Sequence, residues 1–93
     1  LANNLARVIP AGRRARLERD SWSPPAIFRL VQQVGRVSQA DIEATLNMGV
    51  GMVAILPETS VDTAVALLGS RGIDAWVLGR IEAHDGPGVA ELV

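Results

Sequence analysis

Apolar and polar positions along this chain repeat with more than one period, and the changes of period mark its elements. Leu1, Leu5 and Val8 fall at i, i+4 and i+7, one face of a helix, with Asn3, Asn4 and Arg7 on the other side. Pro10 and Gly12 end that helix. Residues 14–19 alternate, which predicts a half-buried strand with Ala15 and Leu17 inward. Ser21, Ser23 and the Pro24-Pro25 pair open a second helix, whose stripe is Ile27, Leu30, Val31 and Val34 and whose stop is Gly35. Ser38 caps a short third helix carrying Ile42 and Leu46, with Asp41 where a capping box places an acid or amide.

The most distinctive stretch follows. Asn47-Met48-Gly49-Val50-Gly51-Met52 runs into Val53-Ala54-Ile55-Leu56 and stops at Pro57. The apolar run predicts a strand buried on both faces. Val61, Ala64, Val65 and Leu68 then mark a helix that ends between Gly69 and Gly72. Residues 75–81 predict a further strand with two apolar faces, Asp85-Gly86-Pro87-Gly88 a turn, and residues 89–93 a last strand. Strands and helices alternate around an aliphatic core, an α+β sandwich in which helices cover a mixed β-sheet.

Composition narrows the chemistry. At 93 residues the chain is a single domain at most, spanning 1–93. The net charge of −1 leaves no electrostatic footprint for nucleic acid, and no apolar run is long enough to span a membrane. There is no cysteine, so no disulfide framework and no thiolate metal site. All nine basic residues are arginine, which excludes a Schiff-base lysine and a phosphate-loop lysine. The one histidine, His84, sits beside a turn and reads as exposed. The arginines at 14, 16 and 19 suggest an anion site, but their alternation with inward residues is what an outer strand face looks like, and Glu18 and Asp20 dilute them. Trp76 reads as a core or interface residue.

Gly49-Val50-Gly51 invites a dinucleotide reading, but the order is reversed. A dinucleotide fingerprint follows a strand and opens a helix, whereas these glycines follow a helix and open an extended run. On residues alone two readings stand side by side. Either the chain turns tightly into a strand, or backbone N–H groups of residues 49–51 approach an anion or amide with Asn47 beside them.

Four blocks, in order, bear on that choice. Leu1-Ala2-Asn3-Asn4-Leu5-Ala6-Arg7-Val8-Ile9-Pro10, Ser21-Trp22-Ser23-Pro24-Pro25-Ala26-Ile27-Phe28, Thr45-Leu46-Asn47-Met48-Gly49-Val50-Gly51-Met52 and Ala75-Trp76-Val77-Leu78-Gly79 resemble the C-terminal domain of the phosphoribosylformylglycinamidine cyclo-ligase (AIR synthetase) family. Three positions depart from the family pattern: Ala6 for proline, Leu46 for phenylalanine, and Ala44 where many members carry arginine.

The resemblance implies an ATP-dependent enzyme of purine biosynthesis. It closes the imidazole ring of formylglycinamidine ribonucleotide to give aminoimidazole ribonucleotide, ADP and phosphate. It implies Mg²⁺ and ATP held mainly by an N-terminal half, homodimerisation of the full-length enzyme and a cytoplasmic location. The partners it implies are a small-molecule substrate and the chain's own N-terminal domain, with no nucleic acid and no membrane. It puts Asn47, Gly49 and Gly51 in the substrate cleft, with Asn4 and Arg7 as further contacts, and it implies that this stretch alone is inactive. Two alternatives are a related ATP-dependent enzyme of the formylglycinamidine ribonucleotide synthetase type and a non-catalytic interaction domain that keeps the fold.

Overall fold

The computed structural model describes all residues, 1–93. Its centre is a three-stranded mixed sheet in the order β2-β1-β3. Strand β1 (Arg13–Leu17) lies in the middle. It pairs antiparallel with β2 (Gly79–Ala83) and parallel with β3 (Val89–Leu92).

The alternation along β1 makes this sheet two-faced. Ala15 and Leu17 are buried, and they sit level with Ile81 and Gly79 on one neighbour and with Ala90 and Leu92 on the other. Helix α1 (Ala2–Ala6) and the turn after it cover this apolar face, so that Leu5 and Ile9 close the core cluster with Ala15 and Leu17. Val8, predicted on the buried stripe, is exposed, and Ile9 takes its place. The helix ends at Ala6 and so cannot carry its period as far as Val8.

The opposite face is ionic. Arg14 meets Glu82 at 2.7 Å and Glu91 at 3.8 Å, and Arg16 meets Glu18 at 3.3 Å. Cross-strand pairs of opposite charge stabilise a sheet modestly. The alternating arginines are thus the sheet's outer face, and their charge is matched within the chain.

The helices after β1 follow the sequence pattern closely. Helix α2 (Ala26–Gly35) begins after Pro25, and α3 (Gln39–Thr45) begins at Ser38, whose Oγ accepts the Asp41 amide at 3.1 Å. One stop is shifted. Gly35 remains helical, and Arg36 takes the left-handed conformation with φ of 52°. The Val37 amide then closes on the Gln32 carbonyl at 3.0 Å, the six-to-one bond of a Schellman end.

Two predicted strands are corrected. The run 53–56 forms no strand: residues 51–57 are without regular structure, and only Val53 is half-buried, against the core cluster. Apolar content creates a demand for burial but does not supply a backbone partner, and both flanks of β1 are already taken by β2 and β3. The strand predicted over 75–81 begins only at Gly79. The register explains the late start. Leu17 pairs with Gly79 and the Glu18 amide reaches the Leu78 carbonyl at 2.9 Å, after which the 3₁₀ turn Arg19–Ser21 carries the partner chain away. Its outer positions are not covered on both sides, since Val77 is exposed.

Helix α4 (Val61–Ser70), preceded by the 3₁₀ turn Glu58–Ser60, turns its predicted stripe toward an apolar trough of about 340 Å³. Val61, Ala64, Val65 and Leu68 line it together with residues such as Ile55 and Trp76. No helix is long and apolar enough to cross a membrane.

Candidate functional site

The segment joining α3 to the extended run contains the motif that stands out in the sequence. Ile42 anchors α3 in the interior, and the helix ends at Thr45, whose Oγ1 donates to the Asp41 carbonyl at 2.8 Å. The chain then reverses within four residues. The Val50 amide donates to the Asn47 carbonyl at 3.0 Å, with Met48 at φ 55° and Gly49 at φ 94° between them. Positive φ at both central positions is the signature of a type I′ turn. Asn47 adds an Asx-type closure, its Oδ1 accepting the Gly49 amide at 2.8 Å.

This geometry divides the expected contributions of the loop. The amides of Gly49 and Val50 are both occupied within the turn. The amides of Met48 and Gly51 have no backbone partner, and the Asn47 side-chain nitrogen donates to nothing in the chain. Asn47, Gly49 and Gly51 are exposed, while the Met48 and Val50 side chains are buried and hold the turn to the fold. The loop thus offers hydrogen-bond donors suited to an oxygen acceptor on a ligand.

The two glycines are not equivalent. A Cβ on Gly49 would lie 2.6 Å from Pro25 Cδ, and its φ already excludes most side chains. A Cβ on Gly51 would meet no atom within 4 Å, and Gly51 does not adopt a positive φ. Gly49 is required by the turn itself, whereas only something outside the chain would require Gly51.

Helix α1 starts beside this loop. The Leu1 nitrogen lies 3.5 Å from the Leu46 carbonyl, and Asn3 Nδ2 lies 3.5 Å from the Ala44 carbonyl. Asn4 and Arg7 are exposed, and neither side chain has a hydrogen bond or ion pair within the chain. Asn3, rather than Asn4, makes the contact with α3.

Sequence reasoning missed two contributors. Met48 adopts the left-handed conformation usual for Asn or Gly, so its residue type concealed a hairpin-type turn. Trp22 lies 26 residues away, yet its indole nitrogen donates to the Met48 carbonyl at 3.0 Å. Its block was visible in the sequence, but its target was not. A shallow groove of about 280 Å³ runs alongside, lined by Pro24, Pro25, Phe28, Arg29 and Met48 among others.

Ionisable groups near the loop serve structure. Arg19 grips Glu43 on α3 through two bonds of 2.8 and 2.7 Å. These bonds hold the Glu43 carboxyl below its ordinary range and outweigh the opposing effect of burial. No three His, Cys, Asp or Glu side chains lie close enough together to hold a metal ion.

Comparison with known proteins agrees across almost the whole chain. Residues 1–90 match the family described as AIR synthase related protein, C-terminal domain. A Streptomyces fradiae protein provisionally named phosphoribosylformylglycinamidine cyclo-ligase is 51% identical over 81 residues, covering 87% of this chain and 44% of that protein. The phosphoribosylformylglycinamidine cyclo-ligase of Caldicellulosiruptor bescii is 43% identical over 79 residues, 85% of this chain and 23% of that protein. Its namesake from Anaeromyxobacter sp. strain Fw109-5 is 42% identical over 93 residues, 100% of this chain and 27% of that protein. The chain therefore spans between about a quarter and under half of the length of these relatives.

Proposed function

The chain belongs to the family of AIR synthase related proteins, through their C-terminal domain, and from that premise we propose that it works as part of a longer, cytoplasmic, ATP-dependent cyclo-ligase. That enzyme converts formylglycinamidine ribonucleotide to aminoimidazole ribonucleotide with release of ADP and phosphate. The names of the relatives support the reaction. The observation that carries the site is the 47–51 loop, in which Asn47, Gly49 and Gly51 are exposed and the Met48 amide, the Gly51 amide and the Asn47 side-chain nitrogen are unpartnered donors.

In this reading the loop binds an oxygen acceptor of the ribonucleotide and orients it for ring closure. Asn4 and Arg7, whose side chains are free, are proposed as further contacts from α1. The residues present do not fit ATP or Mg²⁺. The chain has no lysine and no cluster of metal-ligating side chains, and Arg14 and Arg16 on the sheet are already matched by carboxylates. Both are therefore assigned to the chain's own N-terminal domain in the full-length protein, proposed to be a homodimer, and no chemical step is assigned to them here.

The test is ring closure by the intact protein, read as the aromatic amine product after diazo coupling. The expected result is ATP-dependent product from the intact protein and none from the 93-residue chain. Failure of the intact protein to form product overturns the reaction. Turnover by the short chain overturns the division of labour.

A further inference from the structure

The Trp22 block lies outside the loop but reaches it from two directions. The internal bonds of the 47–50 turn fix its shape and leave its placement on the fold free. Besides the buried Met48 and Val50 side chains, placement comes from the corner between the Arg19–Ser21 turn and α2. There the Trp22 indole N–H donates to the Met48 carbonyl at 3.0 Å, and the Pro25 ring packs against Gly49. The indole is itself braced: its ring centre lies 6.4 Å from that of Trp76 at 31°, and Trp76 Nε1 donates to Ser21 Oγ at 3.3 Å.

Met48 is the residue on which this support acts. A left-handed methionine is sterically disfavoured, and its carbonyl orientation is what the indole bond holds. Rotating the Met48–Gly49 peptide would break that bond together with the bond from the Gly49 amide to Asn47 Oδ1, and the turn that fixes the flanking unpartnered amides would loosen.

We propose that Trp22 is a positioning residue: through its indole N–H on the Met48 carbonyl, it holds the 47–50 turn so that the amides of Met48 and Gly51 face a bound ribonucleotide. The proposal rests on the reading of this loop as the substrate site. Trp22 itself touches no reacting atom. It acts through Met48, which separates it from residues that contact ligand directly.

The experiment uses the intact protein with the Trp22 indole replaced by benzothiophene, which keeps ring size and puts sulfur in place of the N–H. Leaving a buried acceptor without its donor has an effect of about tenfold in an equilibrium. The expected result is a KM for the ribonucleotide raised by about tenfold, with kcat little changed and faster amide exchange at Gly49 and Val50. An unchanged KM overturns the proposal, because a ring that only packs is preserved in the isostere. Exchange in the unaltered protein tests the underlying reading separately: added ribonucleotide should protect the Met48 and Gly51 amides. Absence of that protection removes the loop as the substrate site and the proposal with it. If the isostere does not fold, Pro25→Ala loosens the same turn from the other side. It should raise KM in the same direction, and an unchanged KM there overturns the proposal as well.

Discussion

At the scale of single residues, the clearest result is that neighbouring glycines carry different obligations. Gly49 sits at φ 94° against the Pro25 ring, and Gly51 has open space where a side chain would go. Gly49→Ala should destabilise the protein by about 1–3 kcal/mol, from strain at a left-handed position. Gly51→Val should leave the melting temperature of the intact protein nearly unchanged and raise the ribonucleotide KM. Paired melting and kinetic measurements on the two variants check this. A Gly51→Val protein with normal kinetics would remove Gly51 from the proposed site. Two other glycines impose demands that the sequence does not show. A Cβ on Gly79 would fall onto the Arg16 carbonyl and one on Gly88 onto the Ile9 carbonyl. Each requirement comes from the backbone of a distant element, so no local pattern carries it.

At the scale of elements, the start of α3 was legible because capping is local chemistry. Ser38 caps α3 through the Asp41 amide, as its spacing predicts. How α3 is held to the rest of the chain was not legible. The tie is the Arg19–Glu43 pair, formed between residues 24 apart, and Glu43 keeps only 11% of its side chain exposed. Because folding lowers the Glu43 pKa, the unfolded chain binds the proton more readily. The contribution of the pair is therefore fully present above the ordinary carboxylate pKa and is lost as pH falls through the lowered one. Glu82, lowered by its bond from Arg14, follows the same direction. Glu43→Gln should be less stable than the unaltered protein at neutral pH, with the difference shrinking as acid protonates the carboxylate. Denaturant melts at several pH values measure this. A difference independent of pH would mean that the pair acts through packing alone.

At the scale of the whole molecule, the dominant feature is the amount of uncovered apolar surface. The extents are 42 × 38 × 18 Å and the radius of gyration is 14.5 Å, against about 12 Å for a compact chain of this length. Ile27, Leu30, Val31 and Val34, the predicted stripe of α2, are all exposed, as are Met52, Ile55 and Val77. Exposed apolar stripes of this kind mark faces that bind something. The 93-residue chain alone should bind an environment-sensitive apolar dye strongly and melt over a broad range, while the intact protein should do neither. Weak dye binding and a sharp, independent melt of the short chain would show that it folds stably with these faces bare.

The sequence by itself determined the α+β class, the presence of the helices and the Ser38 cap, the inward pair Ala15 and Leu17, and the loop that carries the proposed site. Each depends on the period of apolar residues or on side chains bonding to nearby backbone, and both are local. Only the tertiary structure decided the rest: which strands found partners, how the donors of the 47–51 loop divide between turn and solvent, and that Trp22 holds Met48. Those outcomes depend on which backbone and which side chain arrive from elsewhere in the chain. An apolar run such as 53–56 states the need for burial without naming the neighbour that satisfies it.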